Sequence, residues 1–173
     1  PSSKHFFGTD ELGRDIYARV LYGGRPSVII ATSVVVLVVI IGTTIGIFSG
    51  YYKKLDIVIM RFIDGIMAFP STIIAITMTA IWGAGYMNII LALTFAFFSR
   101  MVVIVRSSTL AVRNLEYIDS ARVAGASDLY IFRKYVFPNI TSPILVNASY
   151  VFSTVVLAEA ALSFLGIGLE ADI

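Results

Sequence analysis

From Ser27 to Tyr52 the chain runs without a single charged residue, and nothing in it constrains the fold more tightly. A helix of about 20 apolar residues crosses the roughly 30 Å hydrocarbon core of a bilayer. Lipid offers no partner for free backbone N–H and C=O groups, so only helices and closed barrels span it. The run is rich in β-branched residues but shows no polar–apolar alternation, which favours helix over barrel strand. Three further runs have similar character, at about 57–82, 86–105 and 135–165, and short turns such as Gly83-Ala84-Gly85 separate some of them.

Composition agrees: 58% of residues are hydrophobic and 14% charged, against about a quarter charged in soluble domains. This excludes a soluble globule and predicts an all-α integral membrane bundle of four spans. The expected organisation is an external amphipathic segment over 1–26, followed by a transmembrane domain over 27–173. With no cysteine there is neither a disulfide framework nor a thiolate metal site, and His5 is the single histidine. A net charge of +2 is too small to argue for nucleic acid. The chain begins at Pro1 rather than Met, which suggests a fragment or a processed segment.

Four crossings put both ends on one face together with the 83–87 turn, and the 53–56 and 106–134 loops on the other. The second face holds seven basic residues (Lys53, Lys54, Arg106, Arg113, Arg122, Arg133, Lys134), and the first holds four (Lys4, Arg14, Arg19, Arg25). The positive-inside rule therefore makes the 106–134 loop cytoplasmic. On the outer face, Thr9 can cap a helix with Asp10 and Glu11 in its first turn, ending near Gly23-Gly24. Leu12, Ile16 and Val20 repeat every four residues, and Asp10/Arg14 and Asp15/Arg19 are i,i+4 pairs, so this segment reads as an amphipathic surface helix. Its carboxylates fit a solvated face; a catalytic role is the rival reading.

No phosphate-cradling GxxxxGK[ST] string, no HExxH and no GxSxG occurs in the chain. The sequence thus predicts no enzyme active site, catalytic residue, metal ligand or cofactor site of its own, and any nucleotide hydrolysis must come from another chain.

Between the last two apolar runs lies YIDSARVAGASDLYIFRKYVFP, Tyr117 to Pro138, a charged stretch with turn and cap residues. Glu116 to Ala126 reads as a short helix stopped at Gly125, where a missing side chain permits a left-handed turn. Ala121, Ala124, Gly125 and Ala126 are small enough for close approach of another backbone, with Asp119 and Arg122 as polar anchors at i,i+3. A second helix starts at Ser127 or Asp128 and carries Arg133 and Lys134 to the membrane surface, with Pro138 at its entry into the bilayer. Spacing alone does not separate a docking element from a hairpin whose charges merely solvate it.

Residues 117–138 resemble the EAA loop of permease subunits in ATP-binding-cassette importers: Glu-Ala-Ala, three residues, Gly, nine residues, then Ile, any residue, Leu-Pro. Asp119-Ser120-Ala121 takes the triplet, Gly125 follows at the right distance, and Tyr135, Phe137 and Pro138 fill the last positions. The departures, Asp for Glu, Ser for Ala, Tyr for Ile and Phe for Leu, keep acid, small and apolar character. GTDELGRDIYARVLYGGRPS at 8–27, MRFIDGIMAFPS at 60–71 and EAALSFLGIGLE at 159–170 are similar to the second-subunit type of the dipeptide, oligopeptide and nickel permeases.

That resemblance implies a type I importer-like bundle in which a coupling helix near 117–126 enters a groove on an ATPase. The implied coupling residues are Tyr117, Asp119, Ser120, Ala121, Arg122, Gly125, Ala126 and Pro138. It also implies a second permease subunit completing a heterodimeric pore, two ATPase subunits that bind the ATP and magnesium, an extracytoplasmic solute-binding protein, and a prokaryotic plasma (inner) membrane. Peptides are the implied cargo and nickel the competitor. Members of that family have six spans, so this chain is expected to lack the first and the last.

Within the spans, Arg61 and Asp64 lie one turn apart and read as an intrahelical pair, with Asp64 facing the path as the alternative. Phe69-Pro70 should kink its helix, as packing or as a gate. Glu159, preceded by a long uncharged stretch, is a candidate pathway residue near the outer end of the last span, or merely interfacial. Arg100 is expected to reach the cytoplasmic headgroups. Gly42, Gly46 and Gly50 make a small-xxx-small stripe for packing within the bundle or between subunits. Trp82, Tyr86, Tyr51 and Tyr52 fit aromatic belts. The rival functions are a secondary transporter or channel, which usually shows inverted repeats, and a scaffold without transport.

Overall fold

The computed structural model describes residues 5–10 and 12–168, so expectations for Lys4, Glu11 and Glu170 lie outside the described residues. Its helices are α1 (Ile16–Tyr51), α2 (Lys53–Met67), α3 (Ser71–Trp82), α4 (Tyr86–Arg113), α5 (Glu116–Val123), α6 (Asp128–Ile131) and α7 (Phe137–Phe164), with a wide π turn over Phe132–Val136 joining α6 to α7. Three helical stretches, Ile16–Tyr51, Tyr86–Arg113 and Asp128–Phe164, are long and apolar enough to cross a membrane. A fourth crossing exists if α2 and α3, bent by 80°, are taken as one.

The centre is α4, whose Ile89, Leu93, Met101, Val102 and Val105 are fully buried. Of the long helices α4 is the most buried, and α1, α3 and α7 pack on it. The glycine stripe explains how closely α1 approaches. A Cβ added at Gly42 would meet the Met101 Cγ at 2.5 Å, one at Gly46 the Val105 Cβ at 2.7 Å, and one at Gly50 the Thr109 Cβ at 2.7 Å. The stripe is therefore the seat of α4, which resolves its two readings in favour of packing within the bundle.

Several boundaries differ from the expected ones. The amphipathic helix expected from Thr9 begins instead at Ile16, capped by Asp15, and does not stop at Gly23-Gly24; it continues through Pro26 into the first span. Upstream, Asp10 Oδ1 accepts from the Leu12 and Arg14 amides at 2.9 and 2.8 Å, which closes a turn rather than a helix. Arg14 keeps its expected pairing with Asp10 at 3.8 Å, but Arg19 pairs with Asp10 at 2.6 Å while the Asp15 carboxylate bonds the Tyr17 amide and His5.

The third span was expected to end near residue 105, yet α4 continues to Arg113. Ser107 and Ser108 bond back to the Ile104 carbonyl, each at 2.9 Å, so their hydroxyls do not interrupt the helix. At Phe69-Pro70 the expected kink is an 80° bend between α2 and α3. At the other proline the chain yields differently. Pro138 lacks an N–H and its ring would strike the carbonyl four residues back, and the helix widens just before it, with the Phe137 amide donating to the Phe132 carbonyl.

Candidate functional site

At the end of the bundle that carries the loops after α1 and α4, α5 and α6 form a water-facing elbow. A helix of eight residues is marginal by itself, so α5 depends on caps and docking. Glu116 and Asp119 sit in its first turn and Arg122 in its last, each at the favourable end of the dipole. Ile118 is fully buried and Ala121 packs against the same core. At the far end the Ala126 amide donates to the Ala121 carbonyl at 3.0 Å and the Gly125 amide to the Arg122 carbonyl at 2.9 Å. Gly125 sits at φ 84°. This is a Schellman stop, the left-handed turn read from the sequence.

What fixes the elbow to the spans is Tyr51, the last residue of α1. Its hydroxyl donates to the Asp128 carboxylate, its carbonyl accepts from Arg113 at 2.6 Å, and the guanidinium carbons of Arg113 and Arg122 lie 5.7 and 5.8 Å from its ring centre. One side chain thus joins the ends of α1 and α4 to both elbow helices. Hydrogen bonding to Tyr51, reinforced by the Asp119 charge, pushes the Arg122 pKa up, so the guanidinium stays charged. Beside this clamp, Arg106 of α4 makes a two-pronged ion pair with Asp56 of α2, whose carboxylate also accepts from the Ser49 hydroxyl at 2.6 Å. Paired guanidinium and carboxylate planes fix orientation as well as distance.

The expected coupling residues occupy distinct places on this elbow. Tyr117 packs its ring 5.5 Å from Tyr135, and the Asn139 side chain reaches its hydroxyl at 3.5 Å. Asp119 is exposed and bonded to Arg122 at 3.1 Å, and Ser120 donates back to the Glu116 carbonyl. Ser127 accepts from the Tyr130 amide, so it is the cap and Asp128 the first residue of α6. Pro138 lies inside the first turn of α7, past the wide turn and not at an interruption of the helix. On the outer side Val123 is 90% exposed, followed by exposed Ala124 and Gly125, with exposed Leu129 and Tyr130 beyond. The inner face is locked to the membrane helices, and the outer face is small, apolar and open.

Asp64, Pro70 and Glu159 are not brought together. Asp64 and Arg61 are both exposed, and no ion pair joins them among the described residues, which corrects the expected intrahelical pair; Asp64 lies instead within electrostatic reach of Arg106. Glu159 is 5% exposed and accepts from Ser27 at 2.7 Å and Ser163 at 3.0 Å, so it ties α1 to α7 inside the bundle. Arg100 stacks on Tyr150, 4.4 Å from the ring centre, and donates to the Tyr150 hydroxyl at 3.2 Å.

The sequence reading missed Tyr51, Asp56 and Tyr150. Tyr51 passed as a belt aromatic, and partners lying 77, 50 and 50 positions away leave no local spacing to find.

Residues 42–171 match the family model described as binding-protein-dependent transport system inner membrane component. A Brucella suis protein named for a peptide transport system permease is 46% identical over 168 residues, covering 97% of this chain and 57% of its own length. The dipeptide transport system permease protein of Alkalihalophilus pseudofirmus is 39% identical over 175 residues, covering 99% of this chain and 57% of its own. The glutathione transport system permease protein of Pectobacterium atrosepticum is 39% identical over 171 residues, with coverage of 98% and 57%. The chain thus spans a little over half the length of these relatives.

Proposed function

Because the chain belongs to the binding-protein-dependent transport system inner membrane component family, we propose that it supplies part of one half of the translocation path of an ATP-driven importer, with peptides as cargo. The observation that carries this reading is the two-sided elbow. A partner ATPase gripping Val123, Ala124 and Gly125 would move α5, and the Tyr51 clamp would pass that motion to α1 and α4 as a rigid unit. A loop that only solvated its own charges would need no such lock. The relatives named for peptide, dipeptide and glutathione systems favour peptide over nickel as cargo.

In this reading the partners are a second permease subunit, two ATPase subunits that bind the ATP and magnesium, and an extracytoplasmic solute-binding protein. The membrane is the inner membrane of a bacterium, with the elbow on the cytoplasmic side, a placement that its basic residues support. The spans alternate between inward-open and outward-open arrangements, an equilibrium biased by nucleotide on one side and by the loaded binding protein on the other. The test is uptake of a labelled dipeptide into vesicles holding the complete importer. Uptake should require ATP, the ATPase subunits and the binding protein together. Flux that persists without ATP would favour the secondary transporter or channel and overturn the reading.

A further inference from the structure

Arg100 lies within α4, six residues from the Arg106–Asp56 pair and therefore about 9 Å further along the helix into the span. Its side chain is exposed, and no carboxylate pairs with it among the described residues. An ionisable group at that depth is costly and normally marks a partner or a path. Here the guanidinium borders a cleft of about 280 Å³ at the break between α2 and α3, lined also by Ser99, Tyr150, Thr154, Pro70 and Ser71.

Two further observations give the cleft a chemical character. Ser99 lines the cleft, is 2% exposed, and its hydroxyl has no hydrogen-bond partner among the described residues, an unmet donor that a bound acceptor would satisfy. The 12-residue helix α3 opens onto the cleft at Pro70-Ser71 with no side-chain cap and no acidic residue in its first turn, so its positive end is uncompensated. Arg100, Ser99 and the amino end of α3 line one cleft, and no acidic residue is among its lining. Tyr150 holds the guanidinium by its ring and hydroxyl, which leaves other N–H donors of the fork free.

We propose that Arg100, Ser99 and the amino end of α3 form a carboxylate-binding station on the translocation path, taking the free C-terminal carboxylate of an imported peptide. This rests on the peptide-importer reading above. Tyr150 is a positioning residue, orienting the guanidinium without touching the cargo.

The experiment compares ATP-dependent uptake of one labelled dipeptide as the free acid and as its C-terminal amide, in vesicles holding the complete importer, for the unsubstituted chain and for Arg100→Gln. Any preference of the delivering binding protein is common to both importers and cancels in the ratio. Arg100→Gln should lower the acid-to-amide uptake ratio roughly tenfold, the size of a lost charge-assisted hydrogen bond, while amide uptake holds. Arg100→Lys should keep most of the ratio. An unchanged ratio, or equal loss of both substrates, overturns the station and leaves the transport reading standing. Loss of assembly with the second permease subunit in Arg100→Gln, restored in Arg100→Lys, places the guanidinium at the subunit interface and also overturns it. Absence of ATP-dependent uptake by the unsubstituted importer overturns the transport reading and the station with it.

Discussion

Tyr51 and Asp128 stand 77 positions apart, yet the hydroxyl that ends α1 donates to the carboxylate that begins α6. The bond crosses from a membrane helix to the water-facing elbow, and removing it should separate insertion from coupling. Tyr51→Phe keeps the ring on which Arg113 and Arg122 rest and deletes only the donor. A bond to a carboxylate exposed to solvent, as this one is, contributes about 1 kcal/mol after screening. Amides of residues 128–131 should then exchange about fivefold faster, with membrane insertion unchanged. Unaltered exchange would show that the clamp does not hold α6.

Gly125 at φ 84° has no atom within 4 Å of where a Cβ would stand, so substitution there tests backbone strain without a steric confound in this chain. Gly125→Asn, which tolerates the left-handed region, should preserve cargo-stimulated ATP hydrolysis in the proposed importer better than Gly125→Val, for which that region is a severe outlier. Gly125→Asp has the shape of Asn but adds a charge, which should abolish stimulation if a partner buries the turn against an apolar surface. Normal stimulation in Gly125→Asp would remove the elbow from the coupling path.

Gly46→Val forces branched carbons into a gap already closed by Val105 and the Val102 carbonyl, which a Cβ would meet at 2.8 Å. Overpacking of this kind costs about 1–3 kcal/mol even where neighbours shift. Thermal denaturation in detergent should start at lower temperature than for Gly23→Val, since nothing lies within 4 Å of a Cβ at Gly23. Equal midpoints would mean that α1 and α4 do not depend on the glycine seat.

The turn before α1 should respond to acid. Hydrogen bonding from the Arg14 amide, then from Arg19 and Leu12, holds the Asp10 carboxyl below its ordinary range. A group whose pKa is lower folded than unfolded contributes stability above the unfolded value, near 3.9, and loses it as pH falls through the folded value. Protection of the Leu12 and Arg14 amides should therefore be flat from neutral pH to about 4 and fall below it. Asp10→Ala should abolish the protection at neutral pH; protection that survives would assign the turn to other contacts.

The residues that were legible in the sequence are those whose role is written locally. The uncharged run after Ser27, the glycine stop at 125, the cap at Ser127 and the proline at 70 each constrain their own few residues of backbone, and each acts in the structure where its chemistry demands. Side chains that act across the bundle were not legible. The Arg61–Asp64 pair had ideal spacing but did not form, whereas Arg106 found Asp56 and Arg100 found Tyr150 across helix contacts that no local pattern encodes. The start of α1 was misplaced because Asp10 offers its carboxylate to a tight turn as readily as to a helix end, and the turn won.

The widened stretch ahead of Pro138 has a rotational meaning. One surplus residue in a helix turns everything before it by about 100° around the axis, so Phe132–Val136 sets the azimuth at which α6 leaves α7. It is at this azimuth that Asp128 meets Tyr51. Deleting one residue from the stretch would swing the acid away from its donor while leaving every other helix intact, and the lever would turn without its load.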